Sequence, residues 1–355
     1  MCMYKIAVIG CGRIGSLLED DPLRPKPASH AGAFARHPKT VITSACDIDG
    51  ERLKKFGRRW NVPPGSLYSD YRELLKREQP DIVSIAAWTE LHCPIVLKAA
   101  STKSVKGVYC EKPIARDLRE AGKMVSICKR RNIKLIVGHE RRFDANFVKV
   151  KKMVHKKLYG PLKTIVAHAL SAPPPKLPAD KYVGGALFHD GTHLMDLILY
   201  YGGPAKWVVG FDERPNGKKF IESTAFGLIR LGNGVNVFVE ASGERDYFKF
   251  DVDLQFQNGR IRIGNSGIHA GRSGKSGRYT GFRELNPAPF KPLKKRTNGF
   301  LGGVSELVRA VETGEPPLSN GAEARNALEL ILALYKSARA GGRKIYIPIP
   351  TQNGN

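Results

Sequence analysis

Short apolar runs separated by longer amphipathic stretches organise the first part of the chain. Lys5-Ile6-Ala7-Val8-Ile9, Val41 to Cys46, Asp81 to Ala86, Gly107 to Cys110 and Lys134 to Gly138 are mostly apolar rather than strictly alternating. That is the pattern of strands buried on both faces of a parallel sheet. Between them, Leu91 to Ala100 and Leu118 to Arg131 carry apolar residues at helical spacing. Strands alternating with helices imply βαβ units, so residues 1–140 are expected to form one α/β domain with a doubly wound parallel sheet.

After residue 140 the pattern changes. Phe143 to Leu158 and Gly184 to Tyr201 read as helical. Trp207 to Phe211, Thr224 to Leu231, Val235 to Ala241, Phe250 to Gln257 and Arg260 to Ile263 read as strands. The turn signals Gly232-Asn233-Gly234 and Asn258-Gly259 separate several of them, as in an antiparallel sheet. Gly264 to Lys295, rich in Gly, Ser, Pro and basic residues, reads as a long loop. The last helix, 321–340, turns Ala327, Leu328, Ile331, Leu332 and Tyr335 to one side and is expected to pack back toward the first domain. Residues 141–355 thus read as an α+β domain with a mostly antiparallel sheet.

Composition narrows the class without naming a chemistry. The 355 residues allow two domains. No segment approaches 18 apolar residues, and the N-terminus lacks a secretory pattern, so a cytoplasmic location is expected. The six cysteines include no Cys-x-x-Cys pair and read as reduced, mostly buried small side chains; no metal centre is expected. Fifty-eight Lys and Arg against 33 Asp and Glu give a net charge of +25. Such a field favours anionic ligands, although a generally basic surface is the simpler account of it. Of these, eight Lys or Arg and a single acid, Glu284, fall between Ser266 and Phe300. Aromatic residues are not interleaved with basic ones in the manner of a dedicated nucleic-acid site.

Candidate chemistry begins at Gly10-Cys11-Gly12-Arg13-Ile14-Gly15, directly after the first strand. In a dinucleotide-binding turn the first glycine makes the tight turn, the second admits the pyrophosphate, and the third lets helix and strand pack closely. The helix that follows offers free N–H groups to phosphate. An acid for the adenosine ribose is expected about 20 residues on. Asp47 lies farther, but Asp20 to Pro27 is proline-rich and cannot be helix. Read as an insertion of about ten residues, it restores the spacing. Asp47 on the ribose hydroxyls would repel a 2′-phosphate, favouring NAD over NADP; its competing role is to cap the next helix together with Asp49.

These features, with Thr89-Glu90-x-His92, Glu111-Lys112-Pro113-Ile114, Arg141-Arg142-Phe143, Gly184-Gly185-Ala186 to Asp196 and a C-terminal helix followed by an Ile347-Pro348 strand, resemble the Gfo/Idh/MocA oxidoreductases. The resemblance spans nearly the full length. It implies a Rossmann domain followed by an α+β domain whose open-faced sheet commonly forms a dimer or tetramer interface. It implies cofactor contacts from Gly10, Gly12, Arg13, Ile14, Gly15, Asp47, Thr89, His92, Glu111 and Lys112. It also implies a cis peptide before Pro113, directing Lys112 to the nicotinamide ribose and the reacting hydroxyl, where an ammonium would offset charge on oxygen.

Oxidising a secondary alcohol also needs a proton acceptor. In the family an acid commonly stands four residues before the catalytic histidine; here that place is His189, and Asp190 follows it. His193 is the preferred base, with Asp190 or His189 orienting it or the substrate, and Asp196 is a structural partner. The His189-Asp190-x-x-His193 spacing superficially resembles a zinc-hydrolase helix, but the acid is Asp, Gly191 weakens the helix and a third ligand is missing from the motif.

The leading expectation is an NAD-dependent dehydrogenase acting on a sugar, cyclitol or derivative, with an anionic substrate favoured by charge. The alternatives are a lyase or glycosidase that retains NAD and works by transient oxidation, and a non-catalytic cofactor-sensing protein.

Overall fold

A computed structural model of the chain describes residues 3–172, 183–290 and 298–350. It divides into two units, Met1–Asp144 with Thr297–Arg325, and Ala145–Arg296 with Asn326–Asn355.

The first unit is built on six parallel strands: β1 (Tyr4–Ile9), β2 (Thr40–Cys46), β3 (Leu67–Tyr68), β4 (Ile82–Ile85), β5 (Gly107–Cys110) and β6 (Lys134–Val137). Their order, β3-β2-β1-β4-β5-β6, is that of a doubly wound nucleotide-binding sheet. Helices α1 (His30–Arg36), α2 (Gly50–Trp60), α3 (Tyr71–Glu78), α4 (Thr89–Ser101) and α5 (Leu118–Arg130) connect them. All five strands read from the sequence are present. The two-residue β3 escapes periodicity because it is too short to show any.

The insertion has a clear structural form. The glycine turn leads into a short 3-10 segment, Leu17–Asp20, rather than a regular helix. The helix resumes at α1, whose His30 and Ala31 N–H groups donate to the carbonyls of Ile14 and Gly15 at 3.0 Å each. His30 therefore stands where the residue four beyond Ile14 would stand in an unbroken helix. The excursion is pinned by Glu19 Oε1, which accepts from Ala28 N (2.6 Å) and Ser29 Oγ (3.0 Å).

The division read at residue 140 needs correcting for 297–325. Helix α9 (Gly299–Thr313) belongs to the first unit, because Val304, Leu307 and Val308 are buried in one core with Tyr109, Ile136 and Phe143. Arg142, 3% exposed, also pairs with Glu323 at 2.8 Å. The final helix, Gly321–Arg339, is shared: its first five residues group with the first unit and the remainder with the second.

In the second unit, α6 (Ala145–His155), α7 (Ala186–His189) and α8 (Gly191–Gly202) accompany α10, that final helix (Gly321–Arg339). The sheet contains β7 (Leu162–Leu170), β8 (Ala205–Glu213), β9 (Thr224–Leu231), β10 (Asn236–Ser242), β11 (Lys249–Phe256), β12 (Gly259–Gly264), β13 (Gly267–Lys275), β14 (Arg283–Ala288) and β15 (Ile345–Tyr346). Its order is β14-β13-β12-β11-β7-β10-β9-β8-β15, antiparallel except for the parallel pair β7–β10. Two sequence expectations change here. The stretch read as a loop after Gly264 contains the β13–β14 hairpin, and β7 was not read at all although it lies mid-sheet. The inner face buries Ile165, Val208, Ile229, Val237, Val252 and Leu254. Against it α10 sets Leu334 close to Gly210 and Gly227, where any side chain would collide.

Candidate functional site

The glycine turn is shaped by contact. Gly10 has φ +94°, and a Cβ there would lie 2.6 Å from the Ala86 carbonyl; one at Gly15 would lie 2.0 Å from the Gly10 carbonyl. A Cβ at Gly12, by contrast, would meet nothing nearer than Arg52 Nη1 at 4.0 Å. The turn is thus tight where strand and turn pack and open where a pyrophosphate has to approach, so these residues fit a dinucleotide. Arg13 is exposed beside it, and Ile14 and Gly15 supply the carbonyls on which α1 resumes.

Asp47 follows β2 and is 8% exposed. Its Oδ2 accepts from Cys11 N at 2.8 Å and its Oδ1 from Asp49 N at 2.9 Å, while Arg52 Nη1 lies 3.3 Å away. Asp49, not Asp47, caps α2, accepting from Arg52 N at 3.0 Å. Asp47 therefore ties the end of β2 to the glycine turn, and a carboxylate retains further acceptor sites.

On the other side of β1, Thr89 opens α4 and is half-buried. His92 is 1% exposed; its Nδ1 lies 2.9 Å from the Pro113 carbonyl and its Nε2 3.1 Å from that of Ala87. Burial pulls its pKa down, so the ring is held neutral and donates to one carbonyl at a time. The ring thus clamps the loop after β4 to the loop after β5.

Glu111 directly follows β5 and is 7% exposed. Its Oε1 faces His30 Nε2 at 3.0 Å, and its Oε2 accepts from Lys112 N at 3.0 Å. His30 Nδ1 in turn lies 2.8 Å from Ser84 Oγ, and its ring meets Tyr109 edge-on at 4.8 Å. Burial pushes the Glu111 carboxyl up, but the His30 hydrogen bond and the nearby positive charge outweigh it and hold the group below its ordinary value. Lys112 is half-buried, and its bond to Pro113 is cis. Sequence reading missed His30 and Ser84; a histidine at the start of a helix carries no signal until the fold sets it against a strand end.

In the second unit, Gly185 to Asp196 forms two helical pieces that meet at Asp190. His189 is exposed, Asp190 half-buried, and His193 and Asp196 buried. His193 N donates to the Asp190 carbonyl at 3.2 Å, and its ring lies edge-on to Phe250 at 6.3 Å. Glu222, fully buried, holds the start of this segment: Oε2 accepts from Gly185 N at 2.8 Å, and Oε1 from Leu187 N (3.2 Å) and Tyr335 Oη (2.6 Å). A side chain at Gly185 would lie 2.0 Å from the Glu222 carbonyl, which explains the glycine. Glu222 also escaped sequence reading, and Tyr335 reads there only as part of an apolar helix face, because their partners are distant in the chain.

Of the sequence-predicted residues, the structure brings Gly10, Gly12, Gly15 and Asp47 together around one turn, and ties His92 to the Glu111-Lys112-Pro113 loop. The His189, Asp190 and His193 group lies in the second unit. Among the described residues no group of three or more His, Cys, Asp or Glu is arranged to hold a metal ion, and no helix is long and apolar enough to cross a membrane. Cys11, Cys46, Cys93, Cys110 and Cys128 are free and buried.

Comparison with known proteins agrees with this architecture. Residues 4–139 match the Gfo/Idh/MocA oxidoreductase family model for the NAD-binding Rossmann fold, and residues 147–262 match a Gfo/Idh/MocA C-terminal domain. The chain is 27% identical to a myo-inositol 2-dehydrogenase of Thermotoga maritima, over 94% of this chain and 96% of that one. It is 24% identical to a D-apiose dehydrogenase of Paraburkholderia graminis, over 95% and 88%. The fold superimposes on an aldose-aldose oxidoreductase from Caulobacter crescentus with TM-score 0.83, at 21% identity over 97% of this chain and 100% of that one. It also superimposes on the WlbA dehydrogenase from Bordetella pertussis, solved with NADH and UDP-GlcNAcA, with TM-score 0.80 at 20% identity over 98% and 99%. The chain belongs to the Gfo/Idh/MocA family of NAD-dependent oxidoreductases.

Proposed function

We propose that the protein oxidises a secondary alcohol of a sugar, a cyclitol or a derivative, with Lys112 and His193 at the reaction centre. The observation that carries the reading is the setting of Lys112. It follows β5 at the carboxyl end of a doubly wound sheet, where such sheets bind their ligands, and its peptide N–H is held by a buried carboxylate. The inositol and apiose dehydrogenases among its relatives support the substrate class.

Bound NAD supplies the hydride acceptor. The glycine turn leaves room for the pyrophosphate, and Asp47 offers carboxylate oxygen to the adenosine ribose. Lys112 donates a hydrogen bond to the substrate hydroxyl and offsets negative charge as its oxygen is deprotonated. His193 takes the proton, with Asp190 or His189 orienting the ring or the substrate.

Replacing Lys112 with Ala is expected to lower kcat by about a thousandfold or more while leaving the Kd for NAD within about threefold. NADH formation at an unchanged rate would reject the assignment. Assaying sugars, cyclitols, sugar acids and sugar phosphates with NAD identifies the substrate. The net charge of +25 predicts that anionic derivatives outperform neutral ones, and the opposite ranking would remove that part of the reading.

A further inference from the structure

Ser84 of β4, His30 of α1 and Glu111 beyond β5 form a hydrogen-bonded chain inside the first unit, and all three are buried. Ser84 Oγ lies 2.8 Å from His30 Nδ1, and His30 Nε2 lies 3.0 Å from Glu111 Oε1. An ionised carboxylate only accepts, so Nε2 carries the donated proton, and the neutral ring accepts from the Ser84 hydroxyl at Nδ1. The second carboxylate oxygen, Oε2, accepts from Lys112 N at 3.0 Å. The chain therefore starts inside the sheet and ends on the peptide of Lys112.

Packing alone does not call for it, because apolar side chains of similar volume often match or exceed the stability of a buried polar group. What the polar chain adds is direction. With Oε1 held by His30, the carboxylate cannot turn, and Oε2 stays on the Lys112 N–H. Gly138 leaves the room, since a Cβ there would lie 2.8 Å from Oε1. On the far side of Lys112, His92 Nδ1 meets the Pro113 carbonyl at 2.9 Å, so the lysine backbone is held from both sides. The excursion before α1 is closed so that a histidine arrives at this place. Glu19 Oε1 accepts from Ala28 N and Ser29 Oγ, and Ser29 Oγ accepts from Gly32 N at 3.0 Å, capping the helix whose first residue is His30.

We infer that His30 is a positioning residue for Lys112, acting through Glu111 and steadied by Ser84. This rests on the reading of Lys112 as a reaction-centre residue. His30, 1% exposed, reaches neither substrate nor cofactor itself. Misplacing a reacting group by about 1 Å costs on the order of a hundredfold in rate, so a chain that fixes the lysine backbone acts on kcat from inside the core.

The test compares His30→Leu, His30→Gln and Ser84→Ala in the full chain, each well below its own unfolding midpoint. Leucine keeps bulk and loses the donor, whereas the glutamine amide can still donate to Glu111. The first readout needs no substrate. Amide exchange at Lys112, followed by mass spectrometry, is expected to speed up about tenfold in His30→Leu and about fivefold in Ser84→Ala, and to stay within about threefold of the parent in His30→Gln. The second readout is oxidation of the best substrate among sugars and cyclitols. There kcat is expected to fall about a hundredfold in His30→Leu and to recover to within about fivefold in His30→Gln, with the Kd for NAD within about threefold throughout. Ser84→Ala removes a single hydroxyl and carries the test should the leucine variant not fold. Unchanged exchange at Lys112 in the folded Leu and Ala variants overturns the inference, as does a glutamine variant as impaired as the leucine one. Full turnover in His30→Leu beside lost turnover in Lys112→Ala rejects the positioning role alone. Full turnover in Lys112→Ala rejects the role of Lys112 itself.

Discussion

Glu111 is a carboxylate that the fold keeps ionised inside a core. Its partners are the ring of His30 and a peptide N–H of the residue proposed for catalysis. Because its pKa is lowered on folding, the stabilisation it contributes is present above the ordinary carboxyl value of 4.5 and is lost as pH falls through the lower folded value. His30→Ala leaves that charge buried without its main donor and is expected to cost about 3 kcal/mol at neutral pH. The penalty should shrink in acid, where Glu111 protonates in the variant first. Denaturant unfolding of parent and variant between roughly pH 4 and pH 7 measures both effects. A pH-independent difference would mean that His30 contributes packing against Tyr109 rather than charge compensation.

Elements were legible in the sequence where one face or both are buried and the run is long enough to show it. β1, β2, β4, β5 and β6 are mostly apolar, and β9 appears with the bounds expected of it. β13 and β14 were illegible for the opposite reason. They form an exposed hairpin of Gly, Ser, Arg and Pro residues, so the backbone pairing that makes them strands leaves no hydrophobic period. α9 hid behind its glycines, Gly299, Gly302 and Gly303, which permit close approach to Glu140, Phe143 and Tyr109 but lower helix propensity. The site divides in the same way. Gly10 to Gly15, Asp47 and Lys112 lie in contiguous motifs, whereas Glu222 and Tyr335 come from sequence positions that only tertiary structure joins. Glu222 takes the place of a helix cap at Gly185 and Leu187. Glu222→Ala, which strands two buried N–H groups and the Tyr335 hydroxyl, is expected to lower stability by about 3 kcal/mol. It should also raise amide exchange across 185–196 more than across β11. Uniform exchange would show that Glu222 supports the whole unit rather than this segment.

At the scale of the molecule, the outer face of the second sheet lacks a cover among the described residues. Phe211 and Phe226 stack at 5.5 Å, and with Leu228 and Phe238 they are 39–48% exposed. Register puts them together, since Phe226 faces Phe211 and Phe238 faces Leu228 across their ladders. Farther along the same face the character turns ionic: Asp253 binds Arg260 at 2.6 Å, and Asp251 meets His168 at 3.3 Å and Lys249 at 3.4 Å. Nine strands at roughly 4.8 Å spacing and about 20 Å long give a face on the order of 800 Å², the area each partner of a stable pair typically buries. A face that is half apolar and half ion-paired suits a second copy of this chain turned so that like halves meet, the apolar part providing affinity and the ionic part register. The expected mass by light scattering is therefore two or four times the 39.1 kDa of one chain. Phe226→Asp places a charge against Phe211 in the centre of the apolar half and should return the protein to single chains without unfolding it, because the side chain is exposed in the isolated unit. Assembly that survives this substitution, or a parent that runs as a single chain, would assign the face to another occupant.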